Sequence, residues 1–197
     1  MRVDLQVVRE WIPENSHVLD LGCGDGTLLA SLQESRSVTG YGLELSNDNI
    51  IQAIRRGVNV IQRDLNDGLS SFSEDGFDFI LMTHALQVLK NPVAVIREML
   101  TIGERAILTF PNFGHWRNRA YLGLKGKMPM SETLPHQWHN TPNIHMCTVK
   151  DFELLCKENG FKIEKKMIVD RNQREGIGLN ILPNLLGEIA IYQITRR

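Results

Sequence analysis

Apolar positions along the chain follow two rhythms. Val3, Val7, Val8, Trp11 and Ile12 recur at helical steps until Pro13, which predicts a short amphipathic helix covering a sheet or a ligand pocket. Val18 to Leu21 is an apolar run interrupted only by Asp20, and three glycines then lead into Leu28, Leu29 and Leu32 at helical spacing. That predicts strand, tight turn and a helix ending near Ser35–Arg36. Val38 to Glu44 predicts a second strand, and Asn47 to Arg56 a helix with Ile50, Ile51 and Ile54 on one face and Gly57 as its stop. Val58 to Gln62 follows as strand three. Phe77 to Met82 is nearly all apolar, as a central parallel strand buried on both faces must be. Pro92 opens a helix over Val93 to Leu100, Gly103 closes it, and Arg105 to Phe110 is strand five, ended by Pro111. Thr148 to Asp151 has the form of a capping box for a helix to Glu158, which Asn159–Gly160 stops. Phe161 to Val169 and Glu188 to Ile194 have strand character with no helix between them, so they should pair. Strand and helix alternating five times imply right-handed crossovers and a doubly wound, Rossmann-like α/β sheet. The terminal pair makes it seven-stranded and mostly parallel, with an antiparallel last strand.

Composition narrows the function classes. The chain has 197 residues, 42% hydrophobic and 23% charged, enough for one domain over 1–197 and too few for two. A net charge of -1 argues against nonspecific binding to nucleic acid or to anionic membranes. Met1–Leu5 contains no signal-peptide core, and no apolar run approaches the roughly 18 residues of a membrane span. Cys23, Cys147 and Cys156 are odd in number and lack metal-type pairing, which fits a reducing cytoplasm.

Chemistry concentrates at Asp20-Leu21-Gly22-Cys23-Gly24-Asp25-Gly26-Thr27. A dinucleotide fingerprint spaces its glycines G-x-G-x-x-G. Here the third glycine comes one residue early, Thr27 stands where that glycine would be, and no G-K-[ST] ending follows. An acid at the mouth of the loop suits a cation-bearing ligand and disfavours a phosphate. The pattern resembles the first motif of class I S-adenosylmethionine (SAM) methyltransferases, whose ligand carries an amino group and a sulfonium but no phosphate. Glu44 lies 18 residues beyond Gly26, near the spacing at which such folds place a carboxylate on ribose hydroxyls, and a carboxylate can accept from two at once. The resemblance further implies that Asp64 accepts from the adenine amino group and that Leu65 offers its backbone amide and an apolar contact. Thr83 ends strand four at the sheet edge where α/β ligands bind. The candidate cofactor residues are therefore Asp20, Gly22, Cys23, Gly24, Gly26, Glu44, Leu45, Asp64, Leu65 and Thr83, for SAM or S-adenosylhomocysteine (SAH). Met82-Thr83-His84-Ala85 replaces the Asn-Pro-Pro-Tyr tetrad of amino-directed methyltransferases, so that chemistry is not indicated.

Residues 112–147 form a connection far longer than usual, with four of the six histidines and two of the three tryptophans. Such a segment is a lid or a binding surface. His115, His136, His139 and His145 match no metal-ligand spacing, so no metal is expected. Arg117, Arg119, Lys125 and Lys127 form a basic run without an intervening acid, either a solvated helix face or a dock for a carboxylate substrate or an acidic partner. His84, His115 and His145 could each act as a base, and each has a plain structural reading; no catalytic residue is assigned.

Asp20–Gly26, Gly40–Glu44, Arg56–Gln62, Thr109–Trp116, Thr141–His145 and Pro183–Glu188 together resemble the bacterial methionine-biosynthesis MetW family over nearly the whole chain. The 112–147 segment and Pro183–Glu188 are the specific parts, because the glycine loop is common to all class I methyltransferases. The resemblance implies a class I methyltransferase fold and a cytoplasmic role beside a MetX-type homoserine O-acyltransferase, which the family supports or activates. Methyl transfer to an unidentified acceptor is the alternative.

Overall fold

The computed structural model describes residues 2–72, 76–131, 133–170, 179 and 181–196. Its elements are α1 (Val3–Trp11), β1 (His17–Leu21), α2 (Thr27–Arg36), β2 (Thr39–Glu44), α3 (Asn47–Arg55), β3 (Val60–Gln62), β4 (Phe77–Thr83), α4 (Pro92–Ile102), β5 (Gly103–Pro111), α5 (Trp116–Lys125), α6 (Val149–Asn159), β6 (Phe161–Val169) and β7 (Ile189–Arg196). Short 3₁₀ turns occupy Leu65–Asp67 and Leu86–Val88, and one helical turn spans Pro183–Leu186.

The seven strands form a single sheet in the order β3-β2-β1-β4-β5-β7-β6. β1 to β5 pair in parallel, and β7 runs antiparallel to both β5 and β6. Alternation along the strands divides the core into two layers. Leu19, Ile80, Leu108 and Tyr192 pack with Ile96, Met99 and Phe152 of α4 and α6. Val18, Leu81, Ile107 and Ile191 pack on the opposite face with Val8, Leu29, Leu32 and Ala53 of α1, α2 and α3. This is the doubly wound fold anticipated from the chain. The strand order reverses between β1 and β4, and the crevice at that switch point is where α/β sheets take ligands.

Local signals behave as their chemistry requires. Thr148 accepts from the Asp151 amide at 3.2 Å while Asp151 accepts from the Thr148 amide at 3.2 Å, a reciprocal cap worth about 1 kcal/mol. Three expectations shift. β3 begins at Val60 rather than Val58, because the Val58 amide donates to Ala53 O (3.1 Å) to close α3. On α3 only Ala53 is buried; Ile51 and Ile54 are 48% and 58% exposed, since the helix sits at the sheet edge and meets the core through its smallest residue. The long connection also contains a regular helix, α5, which closes at Gly126 with φ +61°.

Candidate functional site

The loop after β1 is built by backbone geometry. The Gly22 and Cys23 amides both donate to Leu43 O, at 2.8 and 3.0 Å, and the Gly26 amide donates to Cys23 O at 3.1 Å. Gly22, Gly24 and Gly26 have φ of +73°, +56° and +77°, a region that side chains bearing a Cβ disfavour. The glycines serve different ends. A Cβ on Gly26 would lie 2.9 Å from Ala53 Cβ, so this glycine lets α2 start against α3. A Cβ on Gly24 would meet no protein atom within 4 Å; it would stand in the open groove. Asp25 holds the loop from outside, accepting from the Thr27 amide at 3.1 Å and pairing with Arg56 at 2.8 Å.

Asp20 is 1% exposed, and its Oδ1 has no hydrogen-bond partner. Burial, aided by the Glu44 charge and opposed by Arg2, pushes its carboxyl up to about 7. A buried acid without a partner is costly. It lines a cavity of about 340 Å³ together with Arg2, Leu5, Gly22, Cys23, Gly24 and Thr83, and α1 forms the cover that its amphipathic pattern predicted. The Cys23 thiol, buried and near Asp20 and Glu44, is pushed up to about 12, so it is neutral and unsuited to nucleophilic work.

A second groove of about 440 Å³ joins at Gly22 and Thr83 and is lined by Glu44, Leu45, Asp64, Leu65, Ala85 and Leu89. Glu44 accepts from three backbone amides: Gly24 (2.9 Å) on Oε2, and Leu45 (2.9 Å) and Ser46 (2.8 Å) on Oε1. An ionised carboxylate has about four acceptor positions, so one remains on Oε2. Holding two ribose hydroxyls, as the spacing suggested, requires Glu44 to give up the Gly24 amide. Asp64 uses Oδ1 to accept from Asn66 N (2.9 Å) and Nδ2 (2.8 Å), which lowers its pKa and leaves Oδ2 for a ligand. A ligand with an ammonium at one end and a diol-bearing nucleoside at the other fits this donor set: an unpartnered acid, an open glycine cradle, a part-filled carboxylate and an apolar slot.

A third cavity, about 550 Å³, lies beyond β4 and is lined by Arg2, Asp4, His84, Gln87, His136 and Glu188 among others. His84 adopts φ +56° at the end of β4, a strained conformation for a non-glycine residue, and its amide donates to Thr109 O at 2.9 Å. His84 Nε2 lies 3.2 Å from Asp4 Oδ2, at ion-pair range without hydrogen-bond alignment. Asp4 is fully buried and also takes Arg2 (3.2 Å) and Thr109 Oγ1 (3.3 Å) on the same oxygen. Burial pushes its carboxyl up, but His84, Arg2 and Thr109 outweigh it and leave the pKa below the ordinary value. Asp4, Arg2 and Gln87 were invisible as site residues from sequence.

Of the other candidate bases, His115 is buried as the N-cap of α5, where burial lowers its pKa. His145 is exposed and donates its amide to Gln87 O (3.0 Å). Among the described residues no group of His, Cys, Asp and Glu is arranged to hold a metal ion. The basic run is partly engaged internally: Arg117 lies 3.8 Å from Glu188, and Arg119 Nε donates to Gly114 O at 2.6 Å.

Asn112 joins two distant sequence motifs. Buried to 2% exposure, it donates from Nδ2 to Asn184 O (3.1 Å) and Gly187 O (2.8 Å). Its Oδ1 accepts from the Gly114 (3.0 Å) and Val149 (3.3 Å) amides. It thereby pins the start of the long connection, the Pro183–Leu186 turn and the start of α6 to one point.

A family model described as methionine biosynthesis protein MetW matches residues 2–194. The chain belongs to the MetW family. It is 34% identical over 205 aligned residues to a bifunctional methionine biosynthesis protein MetXA/MetW from Rhodopirellula baltica. That alignment covers all of this chain and 33% of the relative, so the chain spans about a third of that protein's length. Among solved structures, a SAM-dependent methyltransferase from Mesorhizobium loti aligns with a TM-score of 0.70 at 16% identity, covering 98% of each chain. Magnesium protoporphyrin IX methyltransferase of Synechocystis, solved with bound SAH, aligns at 0.64 and 16% identity over 98% of this chain and 81% of that one. These likenesses establish the class I methyltransferase fold.

Proposed function

We propose that the protein binds SAM or SAH across the two joined cavities, through Asp20, the glycine loop, Glu44, Leu45, Asp64, Leu65 and Thr83. The observation that carries this reading is Asp20: a fully buried carboxyl with an unpartnered oxygen at the mouth of an open glycine cradle. An ammonium there would complete it, and Arg2 on the same wall suits the carboxylate of an amino acid. Bound SAM supplies an electrophilic methyl group; what this chain's residues do is hold the two ends of the ligand and cover it with α1.

The same reading makes 1–197 one cytoplasmic domain whose 112–147 segment meets a MetX-type homoserine O-acyltransferase and tunes it according to SAM occupancy. The fused MetXA/MetW relative supports such an association. So does the exposed apolar surface of the segment, where Trp116, Leu122, Leu124, Met130, Trp138 and Ile144 face outward; patches of this kind mark interaction sites. Regulation requires that SAM bind the free and the associated forms with different affinity. Neither nucleic acid nor membrane enters this reading; among the described residues no helix is long and apolar enough to cross a membrane. Titration calorimetry with SAM, SAH and NAD as control, followed by co-elution with the acyltransferase, tests it. Binding of NAD equal to that of SAM would reject the cofactor assignment.

A second reading, methyl transfer, is favoured by one observation: the Asp4–His84 pair stands on a cavity next to the cofactor groove. A base positioned there could receive a proton from an acceptor.

A further inference from the structure

Residues with unsatisfied buried polar atoms line the 550 Å³ cavity beyond β4. Asp4 Oδ1 and Gln87 Oε1 are both buried without a hydrogen-bond partner, and both residues line it; His84, also on its wall, has Nε2 3.2 Å from Asp4 Oδ2. Asp4 is fully buried. Gln87 donates one Nε2 hydrogen to His84 O at 2.9 Å, and its Oε1 is left as an unpaired acceptor. Buried polar atoms are normally paired, and two orphaned acceptors call for a ligand that carries N–H donors.

Charge points the same way. Among the described residues, the Asp4 and Glu188 carboxylates line the cavity with the Arg2 guanidinium, which is already 3.2 Å from Asp4. Glu188 has a long, 3.8 Å approach from Arg117 to set against its charge. Val88, Pro135, Pro142 and Ile189 supply apolar wall, so the ligand should carry an aliphatic portion beside its charged end. A carboxylate or phosphate would meet the like charges of Asp4 and Glu188; a primary ammonium has three donors and no acceptor.

We propose that this cavity is a second ligand site, separate from the cofactor groove, that takes the ammonium group of a small aliphatic amine. Asp4, Gln87 and Glu188 receive the ammonium, and His84 borders it. His84, Val88 and Pro142 also line the neighbouring groove and Arg2 the glycine-loop cavity, so an amine bound here adjoins whatever occupies them. The proposal goes beyond the cofactor reading and is independent of it.

The test is a binding titration of the full chain with n-butylammonium chloride, sodium butyrate and n-butanol as probes, each with and without saturating SAH. Thermal melting of every variant accompanies it. The expected result is saturable binding of butylammonium, little of butyrate or butanol, and retention of the amine in the presence of SAH. Gln87→Leu should weaken the amine about tenfold or more while SAH binding stays unchanged and the melting temperature falls only slightly, through loss of the bond to His84 O. Asp4→Asn should weaken it further; because Asp4 also ties α1 to β4 and β5, Gln87→Leu decides the matter if Asp4→Asn unfolds. Equal binding of the three probes, no saturable binding in the millimolar range, or displacement of the amine by SAH would overturn the proposal. The last outcome would make this cavity part of the cofactor site. SAH affinity from the same titrations reports separately on the cofactor reading: absent SAH binding with intact amine binding would sink that reading and leave this one standing.

Discussion

Asp20→Asn separates the energetic cost of a buried acid from its use. The substitution keeps shape and volume but removes the charge. In the folded protein the carboxyl stands at about 7 against an ordinary 3.8, a rise of about three pH units, each worth about 1.4 kcal/mol. Between those two values the native state keeps a proton that the unfolded chain has lost. Wild-type stability should therefore fall as pH rises from about 4 to about 7, and the full cost, on the order of 4 kcal/mol as an upper bound, is present above that window. The amide of the variant does not titrate and carries no such dependence. Urea denaturation of both forms from about pH 4 to 8 should show the variant gaining on wild type by several kcal/mol across the window, on top of a constant offset for burying an amide. In calorimetry at about pH 8 the same variant should lose SAM affinity by about 1.5–3 kcal/mol, the range for a hydrogen bond to a charged group. Wild-type affinity for SAM should likewise fall as pH drops below about 7, because Asp20 takes up a proton. A stability difference that is flat with pH would show that Asp20 does not titrate as a buried acid. Unchanged SAM affinity would remove it from the site.

Further substitutions probe the rest of the site and the fold around it. Glu44→Ala should lower SAM affinity by about 1–3 kcal/mol and, because it also releases the Gly24 amide, lower the melting temperature in the absence of ligand. Asn112→Ala deletes four hydrogen bonds at a fully buried junction; a loss of about 2–4 kcal/mol in urea denaturation is expected, since the partners are left unsatisfied. Gly26→Ala puts a Cβ at φ +77° and 2.9 Å from Ala53 Cβ, which should cost about 1–3 kcal/mol by the same assay. Replacing Leu124 and Trp138, 85% and 76% exposed, by Ser should weaken co-elution with the acyltransferase without shifting the melting temperature; unimpaired co-elution would move the partner surface elsewhere.

What was legible in the sequence was local. The β1–glycine–α2 junction, the Thr148–Asp151 cap and the alternation that fixes the sheet each depend on residues a few positions apart, so spacing alone reveals them. Glu44 was read from its spacing, 18 residues beyond Gly26, and in the fold it accepts from the Gly24 amide of the loop. Asp4 could not be read that way. It appears in the sequence as one acid in an amphipathic helix, yet it meets His84 and Thr109 through the third dimension. Asn112 and the Pro183–Gly187 stretch were each noticed as specific, but their meeting is a tertiary fact. The Ile50, Ile51 and Ile54 face announced the helix but not its packing: periodicity reports amphipathicity, not which face the sheet covers. The helix within 112–147 showed only as one of two readings of the basic run, because its exposed apolar residues give it no clear core stripe.

The regulatory proposal stands or falls on whether SAM occupancy of the Asp20–Glu44 groove is communicated to a homoserine acyltransferase. It is tested most directly by the acyl-transfer rate of the cognate MetX-type enzyme, with and without this protein, across a SAM titration. Stimulation that changes with SAM and follows the SAM affinity of this protein is expected, so that Asp20→Asn shifts the response to higher SAM concentration. Stimulation indifferent to SAM, or no effect of the protein on the rate at any concentration, would contradict it.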